Sequence, residues 1–67
     1  MTVARVTEVI SSSQKSFEDA IHKGIDRAAK TLKNVEGAWV KEQKVIVKNG
    51  KISEYRVDLK VTFILID

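Results

Sequence analysis

Only a few side chains in this sequence could take part in chemistry or ligand binding. Trp39 is the single tryptophan. An indole offers a flat π surface on which an aromatic ring can stack. Arg56 carries a rigid fork of donors suited to a carbonyl, a carboxylate or a phosphate. Gln43 offers both a donor and an acceptor. His22 lies four residues after Glu18, a spacing compatible with a shared metal, but two ligands make no closed site. The chain has one His and no Cys, which excludes thiolate zinc sites, disulfides and a multi-histidine centre within one chain. Glu42 falls in an apolar neighbourhood and reads either as a charge paired across an interface or as a strand edge. No spacing suggests a nucleophile with its base, a glycine-rich phosphate loop or a pair of catalytic carboxylates. An enzyme is the least favoured reading, and a binding protein the more favoured one.

The bulk properties point the same way. Twelve Lys and Arg against nine Asp and Glu give a formal charge of +3 over 67 residues. Both signs are interspersed, and the densest basic cluster, Lys48 to Lys51, is interrupted by Asn49 and Gly50. A nucleic-acid binder concentrates its cations in a stripe or tail, so that class is disfavoured. No stretch approaches the roughly 20 apolar residues of a membrane span. The first ten residues carry Arg5 and Glu8 and have no signal-peptide core. A cytoplasmic location is the expectation. With no Pro, no linker and no repeat, residues 1–67 read as one domain. A single core this small rarely supplies more than about 3–5 kcal/mol. Disulfides and thiolate metals being excluded, self-association is the remedy left open.

Four elements must position these residues. Val3 to Ser11 is rich in Val, Ile and Thr and reads as a strand. The serines Ser11, Ser12 and Ser13 are expected to break it, with Ser13 capping a helix. Between Gln14 and Lys33, the residues Phe17, Ala20, Ile21, Gly24, Ile25, Ala28 and Leu32 recur at helical spacing and form one apolar stripe. Asp19 with Lys23, and Asp26 with Lys30, are acid-first i,i+4 pairs. Gly24 inside the stripe marks a close approach of helix to sheet, and Asn34 is a stop signal. Two strands follow, joined at Asn49-Gly50, the dipeptide of a two-residue hairpin turn.

An uninterrupted hairpin register predicts Val47 opposite Ile52, Gln43 opposite Arg56, Lys41 opposite Asp58, Val40 opposite Leu59 and Trp39 opposite Lys60. Tyr55, Val57, Leu59, Val61, Phe63 and Leu65 then form the core row, under the helix. The longest apolar strand belongs in the centre. The expected fold is α+β: β-α-β-β with a three-stranded antiparallel sheet, order 1-3-2, partly wrapped around one helix. One helix covers one face. The other face is expected to carry Gly37, Trp39, Lys41, Gln43, Val45 and Val47 with Ile52, Glu54, Arg56, Asp58, Lys60, Thr62 and Ile64. An exposed apolar patch of that kind marks an interface or a ligand site.

The whole chain resembles a dodecin. The resemblance rests on SSSQKSFEDAI at the turn and helix start, GIDRAAKTLKNV at the helix end and EYRVDLKVTF in the last strand. It implies a hollow homododecamer that binds flavin, riboflavin or FMN, between symmetry-related tryptophans. It also implies a role in storage and sequestration rather than catalysis. Two positions differ from the flavin-binding pattern. The usual tryptophan position is Gly37, and the indole comes two residues later at Trp39, on the same face of a strand. The usual glutamine position is Arg56. The ligand residues implied are Gly37, Trp39, Gln43, Val45 and Arg56. The alternative is a dodecin-like structural shell that holds metal ions or small anions and not flavin.

Overall fold

The computed structural model describes residues 2–66. Strand β1 runs Val3–Ser13, helix α1 Phe17–Thr31, strand β2 Val35–Lys48 and strand β3 Lys51–Leu65. The sheet order is β1-β3-β2 with both pairings antiparallel, as the apolar length of β3 requires. Among the described residues, no helix is long and apolar enough to cross a membrane.

The core is small and built on close approach. Ala20 and Ala28 of α1 are buried against Val57, Leu59 and Val61 of β3, and Phe17, Ile21, Ile25 and Leu32 pack around them. Gly24 lies between the two alanines in the same stripe. A Cβ built there would lie 2.8 Å from Leu59 Cδ1 and 3.1 Å from Ser11 Cβ, so the glycine lets the helix settle onto the sheet. The Phe17 ring meets Tyr55 edge-on, with centroids 5.2 Å apart.

The helix start differs from the expectation. Ser11, Ser12 and Ser13 do not break β1; they pair with Val57, Arg56 and Tyr55. The cap is Ser16, in extended conformation, whose hydroxyl accepts from the Asp19 amide at 3.0 Å. Ser13 is buried, and its hydroxyl donates to Asp19 Oδ2 (2.5 Å) while accepting from the Lys15 amide (2.9 Å). That hydrogen bond, ahead of the Lys23 ammonium 3.3 Å away, holds the Asp19 carboxyl below its usual range. Asn34 adopts the left-handed conformation (φ 63°) beyond the helix, and its carbonyl accepts from the Ile64 amide.

The hairpin turn is as expected: Asn49 and Gly50 both have positive φ, and Lys48 faces Lys51. Beyond it the register is interrupted at three points, the farthest at Glu36, which is surplus between Val35 opposite Phe63 and Gly37 opposite Thr62. Val47 pairs with Ile52 but Ile46 with Glu54, leaving Ser53 as an extra residue in β3. Glu42 pairs with Asp58 but Val40 with Leu59, leaving Lys41 as an extra residue in β2. A bulge puts two residues against one and breaks the alternation of faces. Between the bulges at Ser53 and Lys41, β2 is therefore turned over relative to an uninterrupted ladder. Gln43 faces Val57 and not Arg56; Asp58 faces Glu42 and not Lys41. Val45 faces Tyr55, so Gln43 and Val45 belong to the helix side of the sheet. Glu42, expected on the core side, belongs to the open side.

The molecule measures 51 × 19 × 13 Å, whereas 15 helical residues span only about 22 Å. The hairpin thus extends well beyond α1, and Val40, Val45, Val47 and Ile52 stay exposed although the register places them on the helix side.

Candidate functional site

The open face of the sheet is built from cross-strand rows. Glu8, Lys60 and Trp39 make one row across β1, β3 and β2; Ile10, Asp58 and Glu42 make the next; Ser12, Arg56 and Lys44 the third. On the far side of Trp39, Val6, Thr62 and Gly37 make a fourth. No helix covers these rows. Trp39 is 62% exposed, a high value for so large an apolar group. A Cβ at Gly37 would touch nothing within 4 Å. Glu36, Gly37, Ala38, Trp39 and Thr62 line one shallow concavity.

Trp39 and Gly37 thus share a face, with no bulge between them, as the sequence implied. Arg56 shares that face but not that concavity. It lies four residues from Lys60 along β3, about 13 Å at strand rise. Its Nε donates to Ser12 Oγ at 3.0 Å, and its Nη2 is 3.6 Å from Glu54 Oε1. A separate cavity of 190 Å³ is lined by Ile10, Glu42, Gln43, Lys44, Arg56, Val57 and Asp58. Gln43 reaches the lining of the Arg56 cavity from the other side of the ladder; Val45 lines neither. One chain therefore presents two half-sites: an aromatic one at Trp39 and a charged one at Arg56.

Between them lies a group of charges that sequence reasoning passed over. Lys41, displaced by its bulge, reaches across β3 to Glu8, with Nζ 3.5 Å from Oε2. Glu8 also shares a hydrogen bond with Asp58. That bond lowers the Glu8 pKa and raises that of Asp58, and desolvation pushes Asp58 further up. One Asp58 oxygen is buried without a hydrogen-bond partner. The signal lay in the β1–β3 register, which sets Glu8 beside Lys60 and Ile10 beside Asp58. His22 is a surface residue on the far side of α1, 3.8 Å from Glu18. Among the described residues, no three His, Cys, Asp or Glu gather so as to hold a metal ion.

Comparison with known proteins adds a family. The dodecin family model matches residues 3–65. A dodecin of Thermus thermophilus is 33% identical over 61 residues, covering 91% of this chain and 88% of that protein. The solved dodecin of Streptomyces davaonensis superposes with a TM-score of 0.93 at 33% identity, covering 98% of this chain and 97% of that one. The calcium dodecin of Mycobacterium tuberculosis is 36% identical over 64 residues, covering 94% of this chain and 89% of that protein. Its solved structure, described as having a novel calcium-binding site, superposes with a TM-score of 0.82. Members of the family are usually small, dodecameric and flavin-binding, with calcium named for one relative. The helix and strand register, the apolar stripe and the matched length agree: this chain belongs to the dodecin family.

Proposed function

We propose that the chain is a non-catalytic flavin-binding protein that acts as a homo-oligomer, a dodecamer by family precedent, and holds riboflavin or FMN in reserve. The observation that carries this reading is Trp39, an indole left 62% exposed on the uncovered sheet face of a dodecin-family chain. The residues present fit such a ligand. The indole is free to stack, and the open space over Gly37 leaves room beside it for a ring. A bound flavin supplies a redox-active, fluorescent ring, and this chain's part is to stack it and shield it. Exposed apolar groups on both faces, Val6 and Ile10 on one and Val40 and Val47 on the other, give neighbouring subunits surface to bury. A second subunit also offers a second indole. Gly37, Trp39 and Arg56 would form the ligand face; Gln43 would reach it only at the Arg56 cavity, and Val45, turned to the helix side, lies outside it.

The test is a titration of riboflavin and of FMN with the purified protein, following flavin emission, alongside native mass. Quenched emission at micromolar protein and a twelve-chain mass are expected. Full emission throughout the titration removes the flavin reading.

A second reading has its own support. One relative is a calcium dodecin, and Glu8, Glu42 and Asp58 bring carboxylates from all three strands to the open face. A metal there would need ligands from a neighbouring subunit as well, since among the described residues no three gather within one chain. A shell that binds cations and no flavin predicts calcium-dependent thermal stability, reversed by a chelator, with no flavin quenching.

A further inference from the structure

The two half-sites leave open how the aromatic one treats a charged ligand. We propose that Lys60 makes the Trp39 surface selective for a planar aromatic ligand carrying a phosphate, so that FMN is favoured over riboflavin; this rests on the flavin reading above. Lys60 is the direct cross-strand partner of Trp39, so the two Cβ atoms stand about 4.5–5.5 Å apart on one face. Its root is fixed, being half-buried on the central strand. Two of the other cations of this face are engaged, and a third, Lys44, lies in the Arg56 row, two rows from Trp39. Lys41 lies 3.5 Å from Glu8, and Arg56 is held by Ser12 and Glu54 about 13 Å along β3. Among the described residues, no carboxylate lies within ion-pair distance of Lys60.

Glu8 is the carboxylate facing Lys60 from β1; it feels the Lys60 charge, but its ion pair is with Lys41. The Lys60 ammonium therefore has no direct ion-pair partner, on a side chain rooted opposite Trp39. A ring stacked on Trp39 directs its substituents over the neighbouring row positions. A phosphate on a flexible sugar-alcohol chain can then swing to the ammonium, which sits on a flexible four-carbon stem of its own. A charge-assisted hydrogen bond to phosphate is stronger than a neutral one, so the phosphate gains more there than riboflavin's hydroxyl does. The uncharged ring gains nothing from Lys60 beyond contact.

The experiment measures the dissociation constants of FMN and riboflavin by fluorescence quenching, for wild type, Lys60→Met and Lys60→Arg, at low and at moderate salt. The expected result is FMN tighter than riboflavin by about tenfold at low salt. That advantage should shrink with added salt, fall to within about twofold in Lys60→Met and return in Lys60→Arg. Riboflavin affinity should stay within about twofold throughout. Equal binding of the two flavins by wild type overturns the role of Lys60 while leaving the flavin reading intact, as does an FMN preference untouched by Lys60→Met. Binding of neither flavin overturns both. Should Lys60→Met fail to assemble, the salt dependence of the wild-type ratio decides: a ratio that does not move with salt overturns the proposal.

Discussion

Gly24 of the helix and Leu59 of the central strand approach so closely that a single added methyl group would lie 2.8 Å from Leu59 Cδ1. Leu59 is fully buried and cannot swing aside without disturbing Val57 and Val61. Gly24→Ala gains helix propensity of about 1 kcal/mol but incurs overpacking of typically 1–3 kcal/mol. A net loss is expected, read as a lower denaturation midpoint. Adding Leu59→Val, which removes the clashing methyl, is expected to recover part of it; a Gly24→Ala protein more stable than wild type would refute the close-approach reading.

The serines at the helix start are expected to separate by role. Ser16→Ala removes the cap to the Asp19 amide and costs about 1 kcal/mol at any pH. Ser13→Ala removes the hydroxyl that holds the Asp19 carboxyl below its usual range. A carboxyl with a depressed folded pKa contributes stability that is present above its unfolded value and lost as pH falls through the folded one. The part of the Ser13→Ala defect that acts through Asp19 therefore diminishes in acid, while the Ser16→Ala defect persists. Thermal melts at neutral and acidic pH distinguish the two.

The hairpin tip depends on two residues at positive φ. Gly50→Ala places a Cβ in a conformation that L-residues avoid (φ 74°) and is expected to destabilise by about 1 kcal/mol. Asn49→Gly keeps the turn and is expected to be nearly neutral. Chemical denaturation of the pair of variants checks the order.

The contact between the Glu8 and Asp58 carboxyls holds Glu8 down and pushes Asp58 up, so a single proton shared by the two is expected to be favoured. The Asp58 pKa is raised, so its contribution is present below its unfolded value and lost as pH rises through the folded one. The Glu8 pKa is lowered, so its contribution is present above its unfolded value and lost as pH falls through the folded one. Asp58→Asn gives Glu8 a permanent amide donor and removes the charge that must otherwise form beside it. The variant is expected to gain on wild type as pH climbs from the acid range to neutral, measured as the difference in melting temperature. A difference that does not change with pH would show that the two carboxyls do not share a proton.

Trp39→Ala is expected to abolish flavin quenching and leave the oligomer intact on a sizing column. The indole is mostly exposed and takes no part in the core, so its loss leaves the packing of the chain untouched. Stacking on an aromatic side chain is commonly worth about 1–3 kcal/mol, or roughly fivefold to 150-fold in affinity. Loss of the oligomer instead would make Trp39 a subunit contact.

The fold was legible because its strongest signals are local. The helical stripe through Ala20, Gly24 and Ala28, the Asn49-Gly50 turn and the apolar row of β3 each follow from residue type and spacing. Strand order followed from the length and apolarity of β3. The helix cap was misplaced because three serines look like a break, whereas Ser11 and Ser12 continue the ladder and Ser13 turns its hydroxyl to Asp19. The site was half legible. Gly37 and Trp39 lie on the expected face, since the bulge at Lys41 cancels the one at Ser53 before Trp39 is reached. Gln43 and Val45 do not, because neither Ser53 nor Lys41 carries a residue-type signature of a bulge. Lys60 falls opposite Trp39 as the hairpin register predicts, but its neighbour Glu8 was missed because pairing with β1 depends on a connection through the whole helix and not on a short turn.

Those two bulges have a consequence for chain length. In each, one residue is surplus to the pairing: Ser53 in β3 and Lys41 in β2. Deleting either would straighten the ladder locally and leave every other side chain on the face it already occupies. Elsewhere in the paired stretch they enclose, a deletion would turn a whole run of side chains over. Natural insertions and deletions among relatives are therefore expected to gather at these two points and at the bulge residue Glu36, and the stretch between Lys41 and Ser53 works as a cassette with its own reading frame. Matching residues across the family by simple counting would then assign that stretch to the wrong side of the sheet.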